Sequence, residues 1–111
     1  MPRAVEIRSY TLEPGTRDAF DALMRGQALP LLRDFGMDVV ACGPSPHDAD
    51  AYYLIRAWND LAEREASQEA FYGGTAWREG PRESILALIA HYTSTVLLLD
   101  EPTIDGLRSP A

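Results

Sequence analysis

Val5-Glu6-Ile7-Arg8-Ser9-Tyr10-Thr11-Leu12 alternates two kinds of side chain and stops at Glu13-Pro14-Gly15. A period of two with β-branched and aromatic residues specifies a strand, and the Pro-Gly pair closes it with a turn. Val5, Ile7 and Ser9 fall on one face; Glu6, Arg8 and Tyr10 fall on the other. The apolar set is expected to face a core of helices. The set of Glu, Arg and Tyr is expected to face a partner.

Outward from this strand, Phe20, Leu23, Met24, Ala28, Leu31 and Leu32 recur at helical spacing between about Thr16 and Phe35. Pro30 lacks a backbone donor and its ring crowds the preceding turn, so a kink or break is expected near Ala28 to Pro30. Gly36 occupies the place where a left-handed residue ends a helix. Met37 to Gly43 reads as a second strand, and Pro44 to Asp50 as a solvated hairpin loop carrying His47. Ala51 to Trp58 is a third strand, with Tyr53, Ile55 and Ala57 on one face and Tyr52, Leu54, Arg56 and Trp58 on the other. Asp60 and Glu63 have capping spacing for a helix that runs to Phe71 or Tyr72 and ends at Gly73-Gly74. Pro81 opens another helical segment carrying Ile85, Leu86, Leu88 and Ile89. His91 to Leu99 is the last strand, and residues 100–111 read as a tail beyond a domain of residues 1–99.

The order is strand, helix, strand, strand, helix, strand. This is the split β-α-β pattern of an α+β ferredoxin-like fold, with a four-stranded antiparallel sheet. Right-handed crossovers place the first and third strands together at its centre. Glu6, Arg8, Tyr10, Tyr52, Arg56 and Trp58 then gather on one sheet face, and an open face rich in aromatic residues marks an interface. A homodimer with these six residues at its interface is expected, and Arg56→Glu should weaken it by repulsion from Glu6.

Composition narrows the function. The chain has 111 residues, 46% of them hydrophobic, enough for one domain with one core. A formal net charge of −7 argues against nucleic acid and anionic membrane surfaces as partners. The single cysteine, Cys42, excludes a disulfide framework and a multi-cysteine metal motif. The loop around His47 lacks regularly spaced oxygen ligands, and a lone His91 or His47 is a minimal signal for haem, so no metal and no cofactor is expected. No apolar run is long enough to span a bilayer, and a soluble, cytoplasmic protein is the expectation.

Val5 to Gly15 resembles the opening of NIPSNAP-family domains, which begin with a similar Glu-x-Arg-x-Tyr-x-Leu strand and a Pro-Gly turn. Leu29-Pro30-Leu31 in the first helix, Gly36 at its end, Tyr53-Leu54-Ile55-Arg56-Ala57-Trp58 in the third strand and Trp77 after the second helix agree with it. The resemblance covers about Ala4 to Leu99. It implies a ferredoxin-like protomer that forms a dimeric α/β barrel with a second copy, and it brings no reaction with it.

Two functional readings follow. The first is a small hydrophobic ligand held between sheet and helices by Tyr72, Trp77 and His91, with His91 as the candidate general base. A variant of it is a cofactor-independent monooxygenase, or a related small-molecule enzyme of the same superfamily, in which Arg56, Trp58 and Asn59 stabilise a substrate anion. The second is a dimeric interaction domain without catalysis. No nucleophile elbow surrounds Ser84 or Ser94, and no motif selects a reaction.

Overall fold

Strand β1 (Arg3–Leu12) pairs antiparallel with both β3 (Ala51–Trp58) and β4 (Ile89–Leu99), and β2 (Asp38–Pro44) pairs antiparallel with β3. The sheet order is β2-β3-β1-β4, with β1 and β3 at the centre as expected. The computed structural model describes residues 1–108.

The first helical stretch is α1 (Arg17–Leu23), a π-helical turn (Met24–Ala28) and α2 (Leu29–Asp34). The expected irregularity before Pro30 is that π turn, which takes up the missing donor without ending the helix. At the far end Gly36 has φ +99°. Its N–H donates to Arg33 O at 2.9 Å and that of Met37 to Leu32 O at 3.0 Å. Only glycine takes that left-handed step cheaply, so the chain turns there into β2.

The second crossover is α3 (Leu61–Gly73), α4 (Thr75–Arg78) and α5 (Arg82–Leu86). The Asp60 side chain caps α3 by accepting from Glu63 N at 2.7 Å, and Glu63 Oε2 reaches back to Asn59 N at 3.1 Å. The helical segment after Pro81 is shorter than its apolar spacing suggests. Leu88 follows it and Ile89 already belongs to β4, so this strand starts before His91.

The faces of the sheet are the reverse of the expected ones. Tyr10, Tyr52, Leu54 and Trp58 lie beneath the helices in one core with Phe20, Met24, Leu32, Phe71 and Trp77. Glu6 and Arg56 are fully buried on the same side, and Arg8 nearly so. All six residues assigned to the dimer interface, Glu6, Arg8, Tyr10, Tyr52, Arg56 and Trp58, are therefore interior residues of the protomer. The large rings supply the volume needed between sheet and helices, and the arginines gather there around the Glu6 carboxylate. Arg56→Glu thus places a carboxylate beside Glu6 inside the core and tests folding, not association.

Val5, Val40, Ala41, Ile55 and Ala57 form a second, smaller cluster on the outer face. It is covered in part by residues read as a tail: Glu101–Leu107 form α6, capped by Asp100 accepting from Thr103 N at 3.0 Å. Arg108 pairs bidentately with Asp38, at 2.8 and 3.0 Å, while Arg3 joins Asp38 to Glu101. Ile104 is fully buried against the outer face. The rest of the tail, residues 109–111, lies outside the described residues. Ile104→Ala is expected to cost about 2–5 kcal/mol, the usual range for truncating a buried Ile. Urea unfolding checks this; an unchanged midpoint would mean that α6 is not anchored there.

Candidate functional site

Register builds a polar centre under α3. Glu6 and Arg56 are direct cross-strand partners, and Arg8 stands opposite Ser94 on the other side. Two-residue spacing puts Glu6 and Arg8 on the same face of β1. The Glu6 carboxylate consequently becomes a hub. Its Oε1 accepts from Arg56 Nη2 at 2.8 Å and Gln68 Nε2 at 2.6 Å. Its Oε2 accepts from Arg8 Nη2 at 2.9 Å, Arg8 Nε at 3.1 Å and the Ser94 hydroxyl. Arg64 Nη2, from α3, stands 3.5 Å from the same oxygen. Burial by itself pushes the Glu6 carboxyl up, but Arg56, Ser94 and Arg8 more than reverse this and hold it at about 2, well below its ordinary 4.5.

Beside this hub is a cavity of about 260 Å³. Arg8 and Tyr10 of β1, Gln68 and Tyr72 of α3, Trp77 of α4, Ile85 and Leu86 of α5, and Ile89 and Tyr92 of β4 enclose it. Tyr92 and Leu86 are 51% and 44% exposed, which places the mouth of the cavity at these two residues. Tyr72 meets Trp77 edge-on, with centroids 5.3 Å apart, so their rings form a fixed corner. The Arg8 guanidinium lies 4.6 Å from the centre of the Tyr92 ring. Burial, with Tyr72 nearby, pushes the Tyr10 phenol above its ordinary value against the opposing pull of Arg8 and Arg56. Tyr10 therefore keeps its proton at neutral pH.

Two of the three expected ligand-binding residues, Tyr72 and Trp77, meet in this cavity. His91 does not. It pairs with Thr11 on the outer face of β4, exposed, whereas its neighbour Tyr92 pairs with Tyr10 and faces the cavity. The correction follows from strand parity: adjacent residues point to opposite faces, and the second is the one inside. His47 is exposed in the β2–β3 loop, its Nδ1 2.7 Å from Ser45 Oγ. Arg56 and Trp58 lie in the buried layer, while Asn59 is exposed at the entry to α3. Arg8 and Gln68 were missed as site residues, Arg8 because it was assigned to an outward face. The available signal was its spacing of two from both Glu6 and Tyr10.

The NIPSNAP family model matches residues 5–101. The fold is similar to an uncharacterised NIPSNAP domain protein from Burkholderia xenovorans, with a TM-score of 0.78 and 18% identity over 88% of this chain and 95% of that one. A NIPSNAP family protein of unknown function from Agrobacterium tumefaciens is equally similar, with a TM-score of 0.78 and 18% identity, covering 86% of each chain. A putative antibiotic biosynthesis monooxygenase from Nitrosomonas europaea shares the fold more loosely, with a TM-score of 0.62 and 19% identity over 85% of this chain and 95% of that one. No curated protein matches the chain.

Proposed function

The chain belongs to the NIPSNAP family, and from that premise we propose that it is a homodimeric small-molecule binding protein whose ligand enters the cavity between β1, β4 and α3 to α5. The observation that carries this reading is the cavity itself, a fixed aromatic corner joined to a few placed polar groups. Its volume of about 260 Å³ lies just below the roughly 300–1,000 Å³ of pockets that take drug-sized molecules, so the ligand is small.

The dimer is supported by the outer face. Ile7 and Tyr53 are half-buried there and Leu97 is 41% exposed, with Ser9, Thr11, Thr93 and Thr95 around them. A second copy laid on this face would shield the apolar side chains that α6 leaves open. The buried, unpaired thiol of Cys42 suits a reducing compartment such as the cytoplasm. Among the described residues no helix is long and apolar enough to cross a membrane.

The oxygenase alternative would use the same cavity, where the rings suit an aromatic substrate. Binding ranks ahead of it because the candidate base, His91, points away from the cavity. Native mass spectrometry of protein purified from its own host tests the main reading. A dimer that retains a small molecule, and loses it in Trp77→Ala, is expected. Retention unchanged in Trp77→Ala would place the ligand elsewhere and overturn the assignment.

A further inference from the structure

The hub around Glu6 is unbalanced. Arg8, Arg56 and Arg64 share one carboxylate, and among the described residues none of the three has a second acidic partner. Two positive charges are left over beneath α3, in a chain whose formal net charge is −7. Arg64 is partly open to solvent, and water screens it in part. Arg8 and Arg56 have much less of that relief, with side chains 9% and 0% exposed. A buried cation without a full counter-charge is costly, so its persistence calls for an anion that is present when the protein works.

The hydrogen-bond arrangement shows where that anion would sit. Tyr72 Oη accepts from Arg56 Nη1 at 2.9 Å and from Arg8 Nη1 at 3.4 Å. Both its acceptor sites are used, which leaves its O–H to donate. Arg8 spends Nε and Nη2 on Glu6 and Gln68, while among the described residues Nη1 has only the long contact to Tyr72. Gln68 is oriented by its neighbours, its Oε1 accepting from Arg8 and its Nε2 donating to Glu6. The remaining capacity at this corner of the cavity is thus donor capacity, from Arg8, Tyr72 and the second Nε2 hydrogen of Gln68. The opposite walls, Trp77, Ile85, Leu86 and Ile89, are apolar.

The geometry points to a small amphipathic monoanion as the ligand: a carboxylate, or a group of the same acceptor geometry, received by Arg8 and Tyr72, on a flat apolar body lying against Trp77, Ile85 and Ile89. Arg8 Nη1 and the Tyr72 hydroxyl can each donate one hydrogen bond to such a head, and hydrogen bonds to an ionised acceptor are the strong ones. This inference rests on the cavity being the binding site, and it adds the sign of charge, which size and apolarity alone do not supply.

The test is calorimetric titration with 2-naphthoate and its uncharged counterpart 2-naphthamide, which have nearly the same shape. Naphthoate is expected to bind at least tenfold more tightly, with amide chemical-shift changes at Gln68, Tyr72 and Trp77. Tyr72→Phe, which keeps the ring and removes the donor, should reduce that preference severalfold. Leu86→Trp, at the exposed mouth, should weaken both compounds without altering the circular dichroism spectrum. Equal or weaker binding of naphthoate, with both compounds mapped to the cavity, would overturn the anion and leave the pocket standing. If neither compound binds or shifts these residues, both the pocket and the anion fall.

Discussion

Glu6→Gln is expected to cost about 3–5 kcal/mol of folding stability, the usual penalty for removing one member of a buried ion pair. The amide keeps the shape of the side chain, but its NH2 group cannot accept, so the hydrogen bonds to one of the two oxygens are lost together with the charge. Arg8 and Arg56 would then lie under α3 with no acid beside them among the described residues. Domains of this kind have about 5–15 kcal/mol in total, so the variant should be marginal at room temperature. Urea unfolding checks the value. The double variant Glu6→Gln/Arg56→Gln should recover part of the loss, because one of the stranded cations is removed as well, and a double-mutant cycle reads the coupling directly. Strict additivity of the two changes would mean that the hub does not act as a unit.

The same carboxylate sets the response to acid. Its value in the folded chain, about 2, lies below its ordinary 4.5. A depressed acid contributes stability that is complete above the ordinary value and is lost as pH falls through the folded one. Stability should therefore decline between about pH 4.5 and pH 2, by on the order of 3 kcal/mol from this group.

The second large effect concerns association. Ile7→Asp combined with Leu97→Asp is expected to turn the proposed dimer into a folded monomer at micromolar concentration, read by light scattering after size exclusion. Each change occurs once per copy, so a two-fold contact would contain four new carboxylates, and burying unpaired charge is prohibitive. The circular dichroism spectrum should be unchanged, since Leu97 is 41% exposed and Ile7 half-buried. An unaltered dimer would show that the outer face is not where copies meet.

Much of the fold was legible from side-chain period. The third strand lies at its expected bounds, the centre of the sheet is β1 against β3, and the helix irregularity falls before Pro30. Which face of the sheet is covered was not legible from alternation. A period of two separates two sets of residues without saying which one packs under helices. The rule that charged residues face outward chose wrongly, because register brings Arg8, Arg56 and Ser94 onto the buried Glu6 carboxylate. That pairing depends on strands 50 and 88 residues away. The C-terminal helix did carry a local signal, Asp100 followed by Glu101-Pro102, which marks a helix start as readily as the end of a strand. In the site, Tyr72 and Trp77 were placed by their position at the helix connections. His91 was misplaced by a single step of strand parity, which no local pattern reveals.

The ionised, buried state of Glu6 underlies both the folding and the anion inference, and a carbon-13 NMR titration of its side-chain carboxyl measures it directly. The resonance should remain that of a carboxylate down to about pH 2, or until acid unfolding intervenes. A midpoint near the ordinary 4.5 in the folded protein would contradict the hub, and the unbalanced guanidiniums beside the cavity with it.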